Sequence, residues 1–167
     1  MGAWGRLRQG LHALLAFAQP IDRALAAQHL TPELQQCFDR LRRSEQLHSL
    51  RVLRALQAEG AVSPDLAVAA LLHDVGKTRW PFPLWQRVLV VLLPRLAPAL
   101  ADRLARGSES QPLARPFLLC QQHPAWGAQL ARAAGASERA AWLVGQHAGK
   151  AGDDADLARL RAADERS

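Results

Sequence analysis

Residues 67–77 read AVAALLHDVGK, and this apolar segment is the best single indicator of the architecture. Its first six residues are apolar without a break, so a helix formed here has no polar side and is expected to run through the interior. The segment ends in His73-Asp74, a doublet that is costly to bury unless its side chains are paired or bind a metal. The sequence therefore predicts a central helix that carries an imidazole and a carboxylate into the core.

The composition of the whole chain is typical of a helical protein. The 167 residues include no Tyr and only 11 Val, Ile and Thr together, while Ala and Leu predominate. Strands need β-branched and aromatic side chains, whereas Ala and Leu lose little entropy in a helix. A chain of this length also fits one domain. We therefore expect an all-α, single-domain helical bundle.

Two segments mark helix starts clearly. Thr31-Pro32-Glu33 and Ser63-Pro64-Asp65 each combine an N-cap hydroxyl, a proline at the first helical position and an acid in the first turn. Together with the periodicity of apolar residues along the chain, such signals predict helices at about 4–18, 21–29, 32–42, 45–58, 65–74, 84–105, 124–134, 138–147 and 155–165.

The segment 81–116 differs from the rest of the chain. It contains Trp85, the apolar run 88–93 and a polar tip at 107–110. The run is too short to span a bilayer of about 30 Å. Three interpretations remain open: a helical insertion packed on the core, a lid over a site, and a peripheral membrane contact through 84–100, with arginines for lipid headgroups. Residues 1–43 are expected to form N-terminal helices packed on the core.

The charge and the cysteines restrict the partners and the location. The net charge is +6, and the arginines are scattered instead of forming a dense basic run. This distribution favours a small phosphate-bearing partner or an anionic surface over sequence-specific nucleic-acid binding. Cys37 and Cys120 have no metal-ligand spacing, so we expect reduced thiols in a cytoplasmic protein.

Four further residues share the pattern of the His73-Asp74 doublet. His48, His147 and Asp164 continue apolar stripes of predicted helices, and His123 precedes Pro124, where an extended backbone at a helix start is expected. Imidazoles and carboxylates on apolar stripes are typical metal ligands. Each residue alone is more often structural, but together they predict a metal site. His12 and His29 lack the pattern and are interpreted as structural.

The order of these histidines and aspartates resembles the signature of a known protein family. His48, the doublet in LHDVGK (72–77) and the distal Asp164 resemble the H…HD…D signature of the HD-domain superfamily of metal-dependent phosphohydrolases, over residues 44–167. His123 and His147 match the additional histidines of members that bind two metals. The ordering is similar to that of bacterial HD hydrolases that split diadenosine tetraphosphate. The paired histidines and GYP motif of cyclic-di-GMP phosphodiesterases are absent after His147.

The resemblance implies a function and a role for each residue. The expected activity is hydrolysis of a small phosphate ester or nucleotide, with one or two iron, manganese or zinc ions activating water. Asp74 would bridge two ions, with His48, His73 and Asp164 at one and His123 and His147 at the other. Lys77 would neutralise a phosphate oxygen, with Lys150 and Arg51 as weaker candidates for substrate binding. Alternatives are an HD-like mixed-valent di-iron oxygenase and a non-catalytic binding or regulatory module.

Overall fold

The computed structural model describes residues 19–149 and 153–167, which form nine α-helices, one 3₁₀ helix and no strand. The predicted helix over 4–18 lies outside these residues. The 3₁₀ helix is Val75–Arg79. The α-helices are α1 (Arg23–Ala27), α2 (Pro32–Arg40), α3 (Arg43–Glu59), α4 (Pro64–Leu72), α5 (Leu84–Leu96), α6 (Pro98–Ala105), α7 (Arg115–Ala133), α8 (Glu138–Gln146) and α9 (Ala155–Arg166).

The expected all-α, single-domain bundle is confirmed. One cluster of buried apolar side chains joins α1–α4 to α7–α9, so the helices of segment 19–43 pack on the same core as the rest. At its centre lies α4, in which every residue from Leu66 to Leu72 is at most 8 % exposed. Ser63 begins this helix by accepting a hydrogen bond from the Leu66 N–H at 3.2 Å. Each fully buried leucine of α4 contributes about 1.5–3 kcal/mol.

The segment 81–116 packs on α7 through a smaller apolar cluster. Phe82, Leu118, Leu119 and Trp126 are buried there, and Val90 of α5 packs against them. The single helix predicted over 84–105 is wrong, because the chain breaks at Ala97, which has φ −146° and ψ 72°. Pro98 explains the break, since it lacks an N–H and disfavours helical geometry in the preceding residue.

The helix predicted at 124–134 begins nine residues earlier, at Arg115. Pro124 lies inside α7 instead of at its start, and His123 is therefore a mid-helix residue and not an extended one. Sequence reasoning placed the boundary at the proline because prolines usually mark helix ends. Burial of Leu118, Leu119 and Trp126 on either side of Pro124 outweighs that local cost.

Within residues 19–149 and 153–167, no helix combines the length and the hydropathy needed to cross a membrane.

Candidate metal centre

Six side chains from five helical elements converge at one end of α4. They are the six residues that the sequence singled out as metal ligands. Within the described residues they form two groups of three, and in each group the potential ligand atoms all lie within 4.8 Å of one another. The groups are His48, His73 and Asp164, and Asp74, His123 and His147.

Backbone carbonyls fix which nitrogen of three imidazoles carries the proton. The Nδ1 atoms of His73 and His147 lie 3.0 Å and 2.7 Å from the carbonyl oxygens of Ala70 and Val144, one turn earlier in their helices. A carbonyl can only accept, so Nδ1 must be the donor. In the tautomer with the proton on Nδ1, the Nε2 atom of either ring has a lone pair, which is directed into the site. Metal-binding histidines are commonly oriented in this way.

Pro124 leaves the Cys120 carbonyl free to accept a hydrogen bond from His123. Because proline has no N–H, the helical hydrogen bond to the Cys120 carbonyl is missing. The Nδ1 atom of His123 lies 3.1 Å from that carbonyl oxygen and 3.0 Å from the one of Leu119. The proline therefore leaves an acceptor for the imidazole, whose Nε2 again points into the site.

The Asp74 carboxylate lies between the two groups. Its Oδ1 atom is 3.7 Å from Nε2 of His123 and 3.8 Å from Nε2 of His147. Its Oδ2 atom is 3.7 Å from Nε2 of His73. These distances are too long for hydrogen bonds and leave room for a cation between the carboxylate and the imidazoles. One carboxylate oxygen thus faces each group, as a bridging ligand would require.

Two further contacts indicate a cation. The Nε2 atoms of His123 and His147 are 3.3 Å apart, although both nitrogens are acceptors in the neutral rings. Nε2 of His73 is fully buried and has no hydrogen-bond partner among the described residues. Buried polar atoms are nearly always satisfied, so an orphan of this kind suggests a ligand.

His48 and Asp164 differ from the other four residues because they already form a hydrogen bond. Nε2 of His48 lies 2.7 Å from Oδ1 of Asp164. Burial opposes ionisation of Asp164, but this bond prevails, and the pKa of the carboxyl is lowered. Asp164 lies in α9 beside the partly buried His48. At the start of the same helix, Asp154 and Asp156 pair with Arg139.

Lys77 supplies the positive charge of the site. Its Nζ atom donates to Oδ2 of Asp74 at 2.7 Å. Burial alone would raise the pKa of Asp74, but the lysine ammonium holds that pKa well below its usual range. Burial alone would lower the pKa of Lys77, but the carboxylates of Asp74, Glu45 and Asp164 raise it. Both groups are therefore ionised at neutral pH.

The histidines of the second group stay neutral. Burial lowers the pKa of His123 and lowers the pKa of His147 to about 4. Neither ring takes up a proton near neutral pH, so their Nε2 lone pairs remain available to a metal.

A pair of glycines holds the 3₁₀ helix against α7. A Cβ atom on Gly76 would lie 1.9 Å from the His123 carbonyl oxygen and 2.7 Å from the Gly127 nitrogen. Only a residue without a side chain fits at Gly76, whereas a Cβ atom on Gly127 would lie 3.3 Å from the Gly76 nitrogen. This contact sets the separation of Asp74 and Lys77 from His123.

The site opens into a cavity of about 340 Å³. Ala148 and Glu165 also line it, although the sequence singled out neither. None of the residues 81–116 is among the lining.

Arg51 is also absent from the cavity lining, and its Nε donates to the Ser167 carbonyl at 3.3 Å. Lys150 lies outside the described residues. The full lining is His48, Asp74, Lys77, His123, His147, Ala148, Asp164 and Glu165.

A larger groove of about 720 Å³ is lined by residues that include Arg40, Arg79 and Trp126. It contains neither histidine nor carboxylate, so it has no ligand set for a metal. We therefore place the candidate site in the smaller cavity, where the chemistry is concentrated.

No protein-family model, curated protein or solved structure matches this chain. What the geometry defines is a helical protein with a buried His/Asp cluster that can hold a metal ion. The imidazole and carboxylate donors suit zinc, manganese or iron better than calcium, which prefers oxygen ligands only.

Proposed function

We propose that the protein is a metal-dependent phosphohydrolase of the HD-domain type, acting on a small phosphate ester or nucleotide. The observation that carries the proposal is the Asp74 carboxylate, which directs Oδ2 towards His73 and Oδ1 towards His123 and His147. A shared carboxylate between two three-residue groups is the arrangement of a dinuclear hydrolytic site.

In this proposal the two groups hold two transition-metal ions. His48, His73 and Asp164 would bind one ion, His123 and His147 the other, with Asp74 shared. When bound, such ions lower the pKa of water towards neutrality and stabilise charge on a phosphoryl oxygen. The Nδ1 hydrogen bonds of the three buried histidines keep their rings oriented without the metal.

Lys77 is suited to binding the phosphate. Its ammonium has three donor positions, and only one is directed at Asp74, so the others can reach a phosphate oxygen in the cavity. Its raised pKa keeps it charged. A fixed positive charge beside the reacting group stabilises the transition state for phosphoryl transfer.

The charge and volume of the cavity are compatible with a small anionic substrate. Its carboxylates outnumber the lysine, so the side chains alone attract cations. Two divalent ions would reverse the sign and favour a phosphate. A cavity of about 340 Å³ is at the lower end of the range for small-molecule sites and suits a phosphomonoester or a nucleotide.

The test combines metal analysis with activity assays. The full chain is purified without chelators, its metal content is measured, and phosphomonoesters, phosphodiesters and nucleotides are screened with added manganese or iron. Asp74→Asn is expected to lose bound metal and at least about a thousandfold in hydrolysis. His29→Ala is the matched control, because His29 lies outside the site and, among the described residues, its side chain pairs with Gln57.

The same assays separate the alternatives. Hydrolysis that persists in Asp74→Asn would contradict the proposed mechanism. Iron binding with substrate-dependent oxygen uptake and no hydrolysis would indicate the oxygenase. Stoichiometric metal without any turnover would indicate a binding or regulatory module.

A further inference from the structure

The outward side of α5 carries a continuous apolar stripe. Leu84, Trp85 and Leu96 are 75 %, 57 % and 79 % exposed. Val88, Val91 and Leu92 complete the same helix side at one-turn spacing, and each is exposed by more than two fifths. Folded proteins seldom leave so many neighbouring large apolar side chains in water without a binding partner.

The stripe is held outward by contacts on the opposite side of the helix. Val90 packs against the cluster of Phe82 and Trp126. Arg87 donates to Oε1 of Glu45 at 3.1 Å and to the Phe82 carbonyl at 3.2 Å, and Arg42 donates to the same carbonyl. Since the inner side of α5 is already occupied, the outer stripe cannot turn inward without breaking these contacts.

Most of the charged side chains near the stripe are positive. Between residues 84 and 106 the charged residues are four arginines and Asp102. Arg95 lies within the stripe, and Arg103 follows the exposed Leu100 of α6 by one turn. An apolar strip bordered by arginines is complementary to a surface that is apolar inside and anionic outside.

We propose that α5 and α6 dock on the surface of a membrane that contains anionic lipids. The stripe would lie among the acyl chains near the headgroups, with the helix axis parallel to the bilayer. A second copy of the chain would bring arginine against arginine. Residues 1–18 would likewise bring positive charge to the arginines beside the stripe, because they contain Arg6 and Arg8 and no acidic residue. Charge therefore favours the lipid surface over either of these occupants.

Vesicle flotation of the full chain tests the proposal. The vesicles are phosphatidylcholine alone or an equimolar mixture of phosphatidylcholine and phosphatidylglycerol. Wild-type protein is expected to float with the mixture at low salt and much less with the neutral vesicles. The triple variant Trp85→Ser, Val88→Ser, Leu92→Ser should bind the mixture at least about tenfold more weakly. Arg95→Gln should weaken binding about fivefold.

Trp142→Ser is the matched control. Trp142 is also an exposed tryptophan, but it lies on α8 with Arg139 stacked on its ring. This variant should bind like the wild type, and circular dichroism should show that the triple variant is folded. Equal flotation of wild type and triple variant would overturn the proposal. So would a concentration-dependent dimer, seen by light scattering and abolished by the triple variant, in the absence of vesicle binding.

Discussion

His123 and His147 face each other across the second group with their Nε2 atoms 3.3 Å apart, and both rings donate Nδ1–H to backbone carbonyls. Two acceptor nitrogens at this distance repel each other unless a proton or a metal ion lies between them. Neither Nε2 atom carries a proton at neutral pH, because burial lowers the pKa of both rings. A cation bound between the two nitrogens would remove this repulsion.

Metal binding should consequently stabilise the fold. A transition-metal ion present at about a hundred times its dissociation constant adds ~2.7 kcal/mol to the free energy of unfolding. For a chain of this size the melting temperature should rise by roughly 5–10 °C. Differential scanning fluorimetry with manganese and zinc measures this rise. His147→Ala should lose most of it, and His29→Ala should keep it. An equal rise in both variants would mean that the ion binds elsewhere.

The stability of the metal-free protein should depend on pH. Burial lowers the pKa of His147 from 6.5 to about 4, so its contribution is fully present above pH 6.5 and is lost as pH falls towards 4. The unfolded chain binds the proton at a higher pH than the folded chain, so acidification favours unfolding. A shift of this size corresponds to on the order of 3 kcal/mol, and His123 acts in the same direction.

Urea unfolding in the presence of a chelator, repeated across this pH range, checks the dependence. His147→Ala should have a flatter profile than the wild type, whereas His29→Ala should be unaltered. A wild-type stability that is constant from pH 7 to about 4 would show that these rings are not buried in the neutral form.

Replacing Lys77 by methionine should separate metal binding from hydrolysis. Its ammonium lies 2.7 Å from Oδ2 of Asp74 and competes electrostatically with a cation there. Lys77→Met should therefore bind metal about tenfold more tightly, while phosphate hydrolysis falls about a hundredfold or more. Lys77→Arg keeps the charge and should keep the wild-type metal affinity. Calorimetric titration measures the metal affinity of each variant. Weaker metal binding by Lys77→Met would contradict the proposed competition between the ammonium and the metal.

Adding one methyl group at Gly76 should disrupt the site. The new Cβ would meet the backbone of α7, 1.9 Å from the His123 carbonyl oxygen, and backbone cannot rotate out of the way. Gly76→Ala should cost about 3 kcal/mol or more and weaken metal binding by separating Asp74 from His123. At Gly149 the nearest atoms lie at 3.4 Å, so Gly149→Ala should change stability little. Chemical denaturation and metal titration of both variants compare the two positions.

Much of the helical architecture follows from local sequence. The caps at Thr31 and Ser63 and the apolar run into His73-Asp74 act over a few residues, and the observed helices α2 and α4 begin within one residue of the predicted positions. Apolar stripes also indicated that His48, His147 and Asp164 face inward. These features depend on periodicity and capping, which can be read from neighbouring residues alone.

The sequence by itself determined that the protein is helical, that its central helix is buried, and which six histidine and aspartate side chains are the candidate metal ligands. Tertiary structure alone decided that α7 continues through Pro124, because packing on both sides of the proline offsets a local cost. It also decided which oxygen of Asp74 faces which histidines, and that the apolar stripe of α5 faces outward. Such relationships depend on contacts between residues far apart in the chain, where the sum of many packing interactions outweighs any local preference.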